Sequence, residues 1–279
     1  MRNNPYTALP IFYSMQRKHL WERLGLPPPK SEASTGRLSL IDYEVYSGLE
    51  VSRWPFFVRL DGWAFHSLTG KMRLKKPFDL RLVRALAASA KSLFFEFNPI
   101  LCYVFSDEAN FLFSRPTVFS RIEKIDSVLA SSFSSCFSRK MSTLAAFDSR
   151  VIPLGRRNVR SYLIWRQAEC IRNYFNAWAQ HTLVMIVGLS PRDASQELSG
   201  LKVPRLFQLC KKHGVDVRKM PRWQQRGVLL HYEDYTRKGY NPMTEKHVVV
   251  KRRRVATEWN LPAFDTVEGS EFIRAIIER

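Results

Sequence analysis

Two groups of acidic residues in the sequence have the chemistry needed to act on phosphate. Asp61 precedes Gly62 at the end of one apolar segment, and Asp107 and Glu108 interrupt a second one. Carboxylates, together with a backbone carbonyl such as that of Gly62, are the oxygen ligands that Mg²⁺ prefers. Two Mg²⁺ ions can hold the attacking and leaving oxygens of phosphoryl transfer. The alternatives are surface carboxylates neutralised by arginines and, for Asp61-Gly62, a hairpin turn.

The elements around these acids predict a fold that brings them together. Apolar alternation predicts strands and apolar stripes predict helices, in the order strand 55–61, helix 79–97, strands 101–105 and 110–113, helix 117–140, strand 147–153. This is the βαββαβ order of α+β, ferredoxin-like domains. Right-handed crossovers place the third strand between the first two, and the first strand between the third and fourth. The first two strands are then parallel, and Asp61 lies at the sheet edge that carries Asp107 and Glu108.

A long helix is predicted over 161–183. Its apolar stripe, expected to face inward, comprises Ile164, Ala168, Ile171, Phe175 and Trp178. Its polar stripe, expected to face outward, comprises Arg166, Glu169, Asn173, Asn176 and Gln180. A solvated helix face explains such a stripe, but asparagines are poor helix formers. Their presence favours a working surface.

The charge of the chain indicates a polyanionic partner. Among 279 residues, 44 are Lys or Arg and 25 are Asp or Glu, which gives a formal net charge of +19 and a pI near 10.1. The segment 202–254 alone holds 15 basic and four acidic residues. Such an excess is typical of proteins that bind nucleic acid or anionic lipid. We divide the chain into an N-terminal extension (1–50), a catalytic domain (51–190) and a basic accessory region (191–279).

Other features exclude several classes of protein. The longest apolar run, 183–189, is too short to span a membrane, and no secretory signal is visible, so a cytoplasmic protein is expected. The four cysteines form no CxxC pair. Each lies among apolar neighbours, which predicts buried, reduced thiols with no structural metal and no disulfide.

Several motifs, in this order, resemble those of the tRNA(His) guanylyltransferase family. They are FFVRLDGWAFHSLT (56–69), KKPFD (75–79), VFSDEANFLF (104–113), AAFDSRV (145–151), YLIWRQAECIRN (162–173) and MPRWQQRGVL (220–229). The resemblance implies a polymerase-palm-like catalytic domain that adds nucleotides to the 5′ end of tRNA, in the 3′–5′ direction. It also implies two Mg²⁺ ions, ATP or GTP as activating and substrate nucleotides, and a homodimer or homotetramer.

The resemblance also implies roles for individual residues. The metal ligands are Asp61, the Gly62 carbonyl and Asp107, with Glu108 as the neighbouring catalytic acid. The nucleotide-binding residues are His66 and Ser106 at a triphosphate, Lys76 and Asp79 near the activating nucleotide, and Arg121, Lys124 and Arg150 at the phosphates of the incoming nucleotide. Ordinary surface salt bridges are the alternative for these last three cations. The candidate tRNA contacts are Arg166, Asn173, Asn176, Arg222, Lys251, Arg252, Arg253 and Arg254.

One departure from the family pattern bears on the substrate. Eukaryotic members carry His-Ile-Asn-Asn-Leu-Tyr-Asn where this chain has Cys-Ile-Arg-Asn-Tyr-Phe-Asn at 170–176. The missing histidine resembles the guanylyltransferase-like branch, which implies template-dependent repair of tRNA 5′ ends. A guanylyltransferase that adds a single G is the first alternative. A non-catalytic RNA-binding protein, in which the basic segment binds RNA without chemistry, is the second.

Overall fold

The computed structural model describes residues 44–114, 119–241, 243 and 246–278. The chain divides into two compact units, Met1–Gly48 and Leu49–Arg279. Most of the predicted N-terminal extension (1–50) lies outside the described residues. The second unit contains the central sheet and its helices. No helix in the described part of the chain is long and apolar enough to cross a membrane.

A six-stranded antiparallel sheet forms the centre of the second unit. The strands are β1 (Phe56–Gly62), β2 (Leu101–Phe105), β3 (Glu108–Phe113), β4 (Phe147–Pro153), β5 (Val228–Asn241) and β6 (Lys246–Glu258). Their order across the sheet is β4-β1-β3-β2-β5-β6. The first four strands are thus arranged as the crossover rule predicts, with β1 and β2 parallel to each other. The accessory region adds β5 and β6 to the same sheet.

Helices cover both faces of the sheet. They are α1 (Phe65–Lys71), α2 (Leu80–Phe97), α3 (Ile122–Met141), α4 (Val159–Thr182), α5 (Pro191–Leu198), α6 (Val203–Lys212), α7 (Arg222–Arg226) and α8 (Val267–Ile277). A π-helical turn, Leu183–Val187, follows α4. One core cluster joins the sheet to α2 and α3, and a second joins the opposite face to α4 and α8.

The alternation of β1 explains how one strand serves both core clusters. Phe56, Val58 and Leu60 are buried in the first cluster, and Phe57 is buried in the second, where its ring stacks on Tyr162 at 4.2 Å between centroids. Successive side chains of a strand point to opposite faces. The alternation that predicts this strand is therefore confirmed.

The two helices on the first face differ in how well their starts were predicted. The helix predicted over 79–97 begins one residue later, at Leu80, and Asp79 is its N-cap, because its side chain accepts a hydrogen bond from the backbone N–H of Arg81. The helix predicted over 117–140 instead begins at Ile122. The preceding residue, Arg121, is held in an extended conformation by a β-bridge to Glu50, which delays the helix.

The predicted phase of α4 is right only in part. Phe175 is buried as predicted, and Ile164, Ile171 and Trp178 are partly buried against the core clusters. The buried face also includes Tyr162, Leu163, Arg166, Gln167, Cys170 and Tyr174. Two polar residues enter the core because each has buried partners. Gln167 donates to the Pro262 carbonyl at 3.1 Å and accepts from the Phe264 N–H at 2.7 Å, and Arg166 pairs with a glutamate. Hydropathy alone assigns both residues to the surface.

Beyond the sheet, β5 and β6 continue as a two-stranded ribbon. Strand β2 pairs with β5 only as far as His231, whereas β5 and β6 stay paired from Leu229–Glu258 out to Asn241–Lys246. Tyr232 holds the base of the ribbon, because its hydroxyl donates to the Phe94 carbonyl of α2 at 2.8 Å. The ribbon therefore projects the most basic part of the chain away from the core.

Gly62 is required by a close approach to an aromatic ring. A Cβ at this position would lie 2.3 Å from the ring of Phe65, which is buried and packs against Phe137 and Phe147. We expect Gly62→Ala to lower the free energy of unfolding by about 1–3 kcal/mol, because overpacking displaces the ring. Urea denaturation measures this change. Gly70→Ala in α1, where a Cβ meets open space, is the control and should be neutral or slightly stabilising. Equal stability of the two variants would show that the ring moves aside at little cost.

Candidate active site

Three acidic residues lie on one rung of the sheet. Asp61 in β1 is in register with Glu108 in β3 and with Asp148 in β4. Directly opposed residues of neighbouring strands project to the same face, so the three side chains share one side of the sheet. Asp107 lies beside this rung, in the two-residue turn that connects β2 to β3. The predicted convergence of Asp61 with Asp107 and Glu108 at one sheet edge is therefore confirmed.

The electrostatics of Asp107 favour a cation at this edge. Partial burial raises the pKa of Asp107, and the nearby Asp61 carboxylate raises it further, against a hydrogen bond that Ser106 Oγ donates to Asp107 Oδ1 at 3.0 Å. A divalent cation between the two carboxylates would remove their repulsion. Within the described ranges, no group of three or more His, Cys, Asp or Glu side chains is placed to hold a metal ion. A metal here would therefore rely on two carboxylates, the Gly62 carbonyl and water, which suits Mg²⁺.

Glu108 is held by a buried ion pair. Arg166 donates from Nε to Glu108 Oε1 at 2.9 Å and from Nη2 to Oε2 at 3.0 Å, and Asn110 donates to Oε1 at 2.8 Å. Tyr162 extends the network by donating to Asn110 Oδ1 at 2.6 Å. Burial raises the pKa of Glu108, and the hydrogen bond from Asn110 and the charge of Arg166 oppose the rise.

This network places two predicted site residues inside the protein. Arg166 is buried and stacks on Trp165, 4.3 Å from the ring centroid, so it is not part of an outward surface that contacts tRNA. Both oxygens of Glu108 are engaged inside the protein. In this arrangement Glu108 holds the start of β3, next to Asp107.

A cavity of about 920 Å³ opens beside Asp107. It is lined by six of the predicted site residues: His66, Lys76, Asp79, Ser106, Asn173 and Asn176. It is also lined by residues that were not predicted as site residues: Gln180, His181, Arg192, Ser195 and Trp223. Gln180 could have been found from the polar stripe of α4 and Trp223 from the motif at 220–229, whereas no local pattern marks the other three. A cavity of this size holds a ligand as large as a nucleoside triphosphate.

Asp79 shapes the wall of this cavity. Its carboxylate accepts hydrogen bonds from the backbone N–H groups of Lys75, at 2.9 Å, and Arg81, at 2.8 Å, and from the Arg81 side chain at 2.6 Å. The Arg81 guanidinium holds the pKa of Asp79 well below its usual range. Asp79 thus fixes the loop that presents Lys76 to the cavity.

Of the three predicted phosphate-binding cations, Arg150 lies at the acidic rung, whereas Arg121 and Lys124 lie at the start of α3. Arg150 is brought to the acidic rung: it pairs with Asp148 at 2.8 Å, and the charges of Asp61 and Glu108 contribute to raising its pKa. Arg121 pairs with Glu123, and Lys124 is exposed on α3. Neither of these two lines the cavity.

Arg59 is a cation that sequence reasoning missed. It lies two residues before Asp61 and directly opposite Arg150 on the neighbouring strand. Its Nε atom is buried with no hydrogen-bond partner among the residues that the structure describes. The alternation of β1 places Arg59 on the face of Asp61, and that was the signal available in the sequence.

The remaining predicted RNA contacts are exposed. Arg222 begins α7, and the four cations at 251–254 lie on β6. Because a strand alternates, Lys251 and Arg253 project from one face of the ribbon, and Arg252 and Arg254 from the other. Arg253 stacks on Tyr232, 3.9 Å from the ring centroid, and Arg254 pairs with Glu233 at 2.8 Å.

Comparison with known proteins places the chain among the tRNA nucleotidyltransferases. Residues 40–155 match the family profile described as Thg1, tRNAHis guanylyltransferase, and residues 157–263 match that of the Thg1 C terminal domain. The chain therefore belongs to the tRNA(His) guanylyltransferase family, as its motifs predict.

Individual relatives agree with this assignment. The tRNA(His) guanylyltransferase of Debaryomyces hansenii is 29% identical over 71% of this chain and 81% of its own length. That of Schizosaccharomyces pombe is 31% identical over 62% and 71%. A bacterial tRNA(His) guanylyltransferase-like protein solved in complex with ATP has a TM-score of 0.66, with 86% of this chain and 97% of that chain covered. At 24% identity, this last likeness concerns the fold.

The buried pair of Arg166 and Glu108 predicts a pH-dependent loss of stability. We expect Arg166→Met to lower the free energy of unfolding by about 3–5 kcal/mol near neutral pH, because it leaves a buried carboxylate unpaired. Burial already raises the pKa of Glu108 in the folded state, and losing Arg166 raises it further. A raised carboxylate pKa makes stability fall as the pH rises from the ordinary value of 4.5 through the folded pKa.

Urea denaturation at about pH 5 and about pH 8 measures this loss, which should be smaller at the acidic pH. The control is Arg172→Met, which breaks an exposed ion pair with Glu169 on the same helix and should cost less than about 1 kcal/mol. Adding Glu108→Gln to Arg166→Met should restore part of the stability. Equal losses at both pH values would mean that the charge of Glu108 is not the cause.

Proposed function

We propose that the protein adds nucleotides to the 5′ end of tRNA in the 3′–5′ direction, selecting each base by pairing with the opposite strand of the acceptor stem. The observation that carries the proposal is the position of Asp61 and Asp107 at one sheet edge, beside a cavity of nucleotide size. The β4-β1-β3-β2 order supports a ferredoxin-like, palm-like catalytic domain. A shared fold does not establish a shared activity, so the experiments below test the chemistry directly.

The acidic edge is suited to two Mg²⁺ ions. Asp61, Asp107 and the Gly62 carbonyl would hold them, with water completing the coordination. When bound, the ions would polarise the reacting phosphates and offset the charge that develops on the leaving group. Burial raises the pKa of Asp107 and the charge of Asp61 raises it further, and a cation bound between the two carboxylates would relieve their repulsion, which supports this assignment.

The cavity would bind the activating nucleotide. Lys76, His66 and Ser106 lie where they can contact a triphosphate, and Asp79 keeps Lys76 in place. A 5′-monophosphate of the tRNA attacks the α-phosphorus of the nucleoside triphosphate, ATP or GTP, and pyrophosphate leaves. A tRNA that carries a 5′-triphosphate needs no such step.

The second step joins the incoming nucleotide. Its 3′-hydroxyl attacks the activated 5′-phosphorus of the tRNA, and the nucleoside monophosphate leaves as the new phosphodiester forms. Arg150, together with Arg59 across the strand pair, is placed to bind the triphosphate of the incoming nucleotide. Guanidinium groups suit this role because they form two parallel hydrogen bonds to a phosphate. Lys124 on α3 and Arg121, immediately before that helix, complete the proposed cationic set.

The choice of base is proposed to come from pairing. Cys170, which stands where eukaryotic members have histidine, is buried, and burial raises the pKa of its thiol to about 12. The position therefore offers neither an exposed hydrogen-bonding ring nor a charge. Addition of a single G is the second candidate, and it is favoured by the names of the curated relatives, which are tRNA(His) guanylyltransferases.

The ribbon and α7 are proposed to contact the tRNA body. Arg222 is exposed on α7, and the ribbon carries exposed cations on both faces. Asn173 and Asn176 line the cavity and would contact the end of the RNA or the bound nucleotide. Phosphate contacts of this kind hold an RNA in position without selecting its sequence.

Removing either carboxylate should abolish addition while RNA binding persists. We expect Asp61→Asn and Asp107→Asn each to lower the rate by about a thousandfold, because several kcal/mol of transition-state stabilisation are lost. The measurements are single-turnover addition of labelled nucleotide and titration with Mn²⁺, whose binding should weaken in parallel. Asp265→Asn, at an exposed aspartate, is the control. A near-normal rate in either site variant would contradict the metal assignment.

The product sequence separates the candidate functions. The substrates are several tRNAs that lack the first 5′ nucleotide, each prepared with all four bases opposite the gap. Addition that follows the opposite base, on tRNAs other than tRNA(His), is the expected result. Addition of G alone, whatever the opposite base and only on tRNA(His), would show a guanylyltransferase. RNA binding without any lengthened product in the presence of Mg²⁺ would show a non-catalytic RNA-binding protein.

A further inference from the structure

Trp63 is a large aromatic side chain held in solvent at the edge of the candidate site. It follows Gly62 directly, and 71% of its surface is exposed. Its backbone is fixed, because its N–H donates to the Ala146 carbonyl at 2.9 Å and the next residue, Ala64, adopts a left-handed conformation with φ 56°. The indole is therefore presented from a rigid support, two residues beyond Asp61.

The loop that holds Trp63 carries a second exposed apolar side chain. Leu144, in the connection between α3 and β4, has 90% of its surface exposed. This connection is tied to α3, because Ser138 Oγ accepts from the Ala145 N–H at 3.0 Å and Ser134 Oγ accepts from the Phe147 N–H at 3.2 Å. Trp63 and Leu144 thus belong to one corner of the fold, built on the C-terminal end of α3.

The same corner carries positive charge. The last turn of α3 contains Arg139 and Lys140, both exposed. Within the described part of the chain, neither forms an ion pair with a carboxylate. An exposed aromatic ring combined with unpaired cations matches the two parts of a nucleic acid, a flat base and a phosphate.

We propose that, before the incoming nucleotide binds, Trp63 stacks on the terminal base pair of the acceptor stem, while Arg139 and Lys140 contact backbone phosphates near that end. The incoming base, which must pair in the same place, then displaces the indole. The proposal rests on the proposed function, which requires the 5′ end of an RNA stem to reach Asp61 and Asp107. A base-paired stem ends in a flat apolar face, and an indole beside the reacting phosphate can cover that face. Stacking tolerates any sequence because every base has a π face, which suits an enzyme that acts on many stems.

The test is a double-mutant cycle that combines one protein variant with one RNA variant. The affinity for RNA is measured on the full chain, with Mg²⁺ and without nucleotide. The probe is a fluorescent acceptor-stem hairpin, compared with the same hairpin in which both terminal nucleotides are abasic. Trp63→Ala should weaken binding of the intact hairpin about tenfold, the size of one base–aromatic stack. It should weaken binding of the abasic hairpin little, because that RNA has no base pair to stack on the indole.

Control variants distinguish stacking from general effects. Trp63→Phe should retain most of the affinity, and Phe95→Ala, which removes a ring that is 75% exposed on α2, should change nothing. The double variant Arg139→Ser/Lys140→Ser should lower the dependence of affinity on salt concentration. Equal losses for the intact and abasic hairpins, or no loss at all, would overturn the proposal.

Other outcomes identify other occupants of this corner. A change of oligomeric state in Trp63→Ala, seen by sedimentation, would make the indole a contact between copies of the chain and would overturn the stacking proposal. If the wild-type protein neither binds nor extends the intact hairpin, the proposed function itself fails. If the wild type extends the hairpin and Trp63→Ala binds it as tightly as the wild type does, the proposed function stands and only the stacking proposal fails.

Discussion

The buried ion pair between Arg166 and Glu108 is the interaction on which the candidate site depends. It joins α4, which forms one wall of the cavity, to the first residue of β3, which follows Asp107 directly. Two charges removed from water must satisfy each other closely, because neither has solvent to replace a lost partner. Asn110 and Tyr162 complete the network, so the rung of acids and the helix above it are held as one unit. Small shifts of α4 would therefore be transmitted to the turn that carries Asp107.

The pair also separates two kinds of acid in one short segment. Asp107 stays half-buried in the turn before β3, where burial and the charge of Asp61 raise its pKa, whereas Glu108, the next residue, is turned into the protein toward Arg166. A turn residue and the first residue of the strand can therefore supply a candidate metal ligand and its anchor. The buried partner limits how far the reactive carboxylate can move when phosphate arrives.

Much of this arrangement is predictable from local sequence. The alternation of β1, the Asp79 cap of α2 and the strand order all follow from short-range patterns and crossover handedness. The phase of α4 does not, because its position depends on Arg166 and Gln167 finding partners on β3 and in the segment 262–264. The start of α3 likewise depends on a bridge to Glu50, about 70 residues earlier in the chain. The far wall of the cavity is built from α5 and α7, and no local pattern reveals that these helices approach α4.

Strand β6 lies at one edge of the sheet. Its basic residues therefore affect the association of one copy of the protein with another, apart from any role in RNA binding. Along its outer side, about every second one of its 13 residues presents a backbone N–H and C=O that no neighbouring strand pairs within the described sheet. A long open margin of this kind can pair with the same margin of another molecule and begin aggregation. Lys251, Arg252, Arg253 and Arg254 place four like charges there, so two copies that approach edge to edge repel each other. An RNA that neutralises these charges would also remove the repulsion, and the colloidal stability of the protein would then depend on the ratio of protein to RNA.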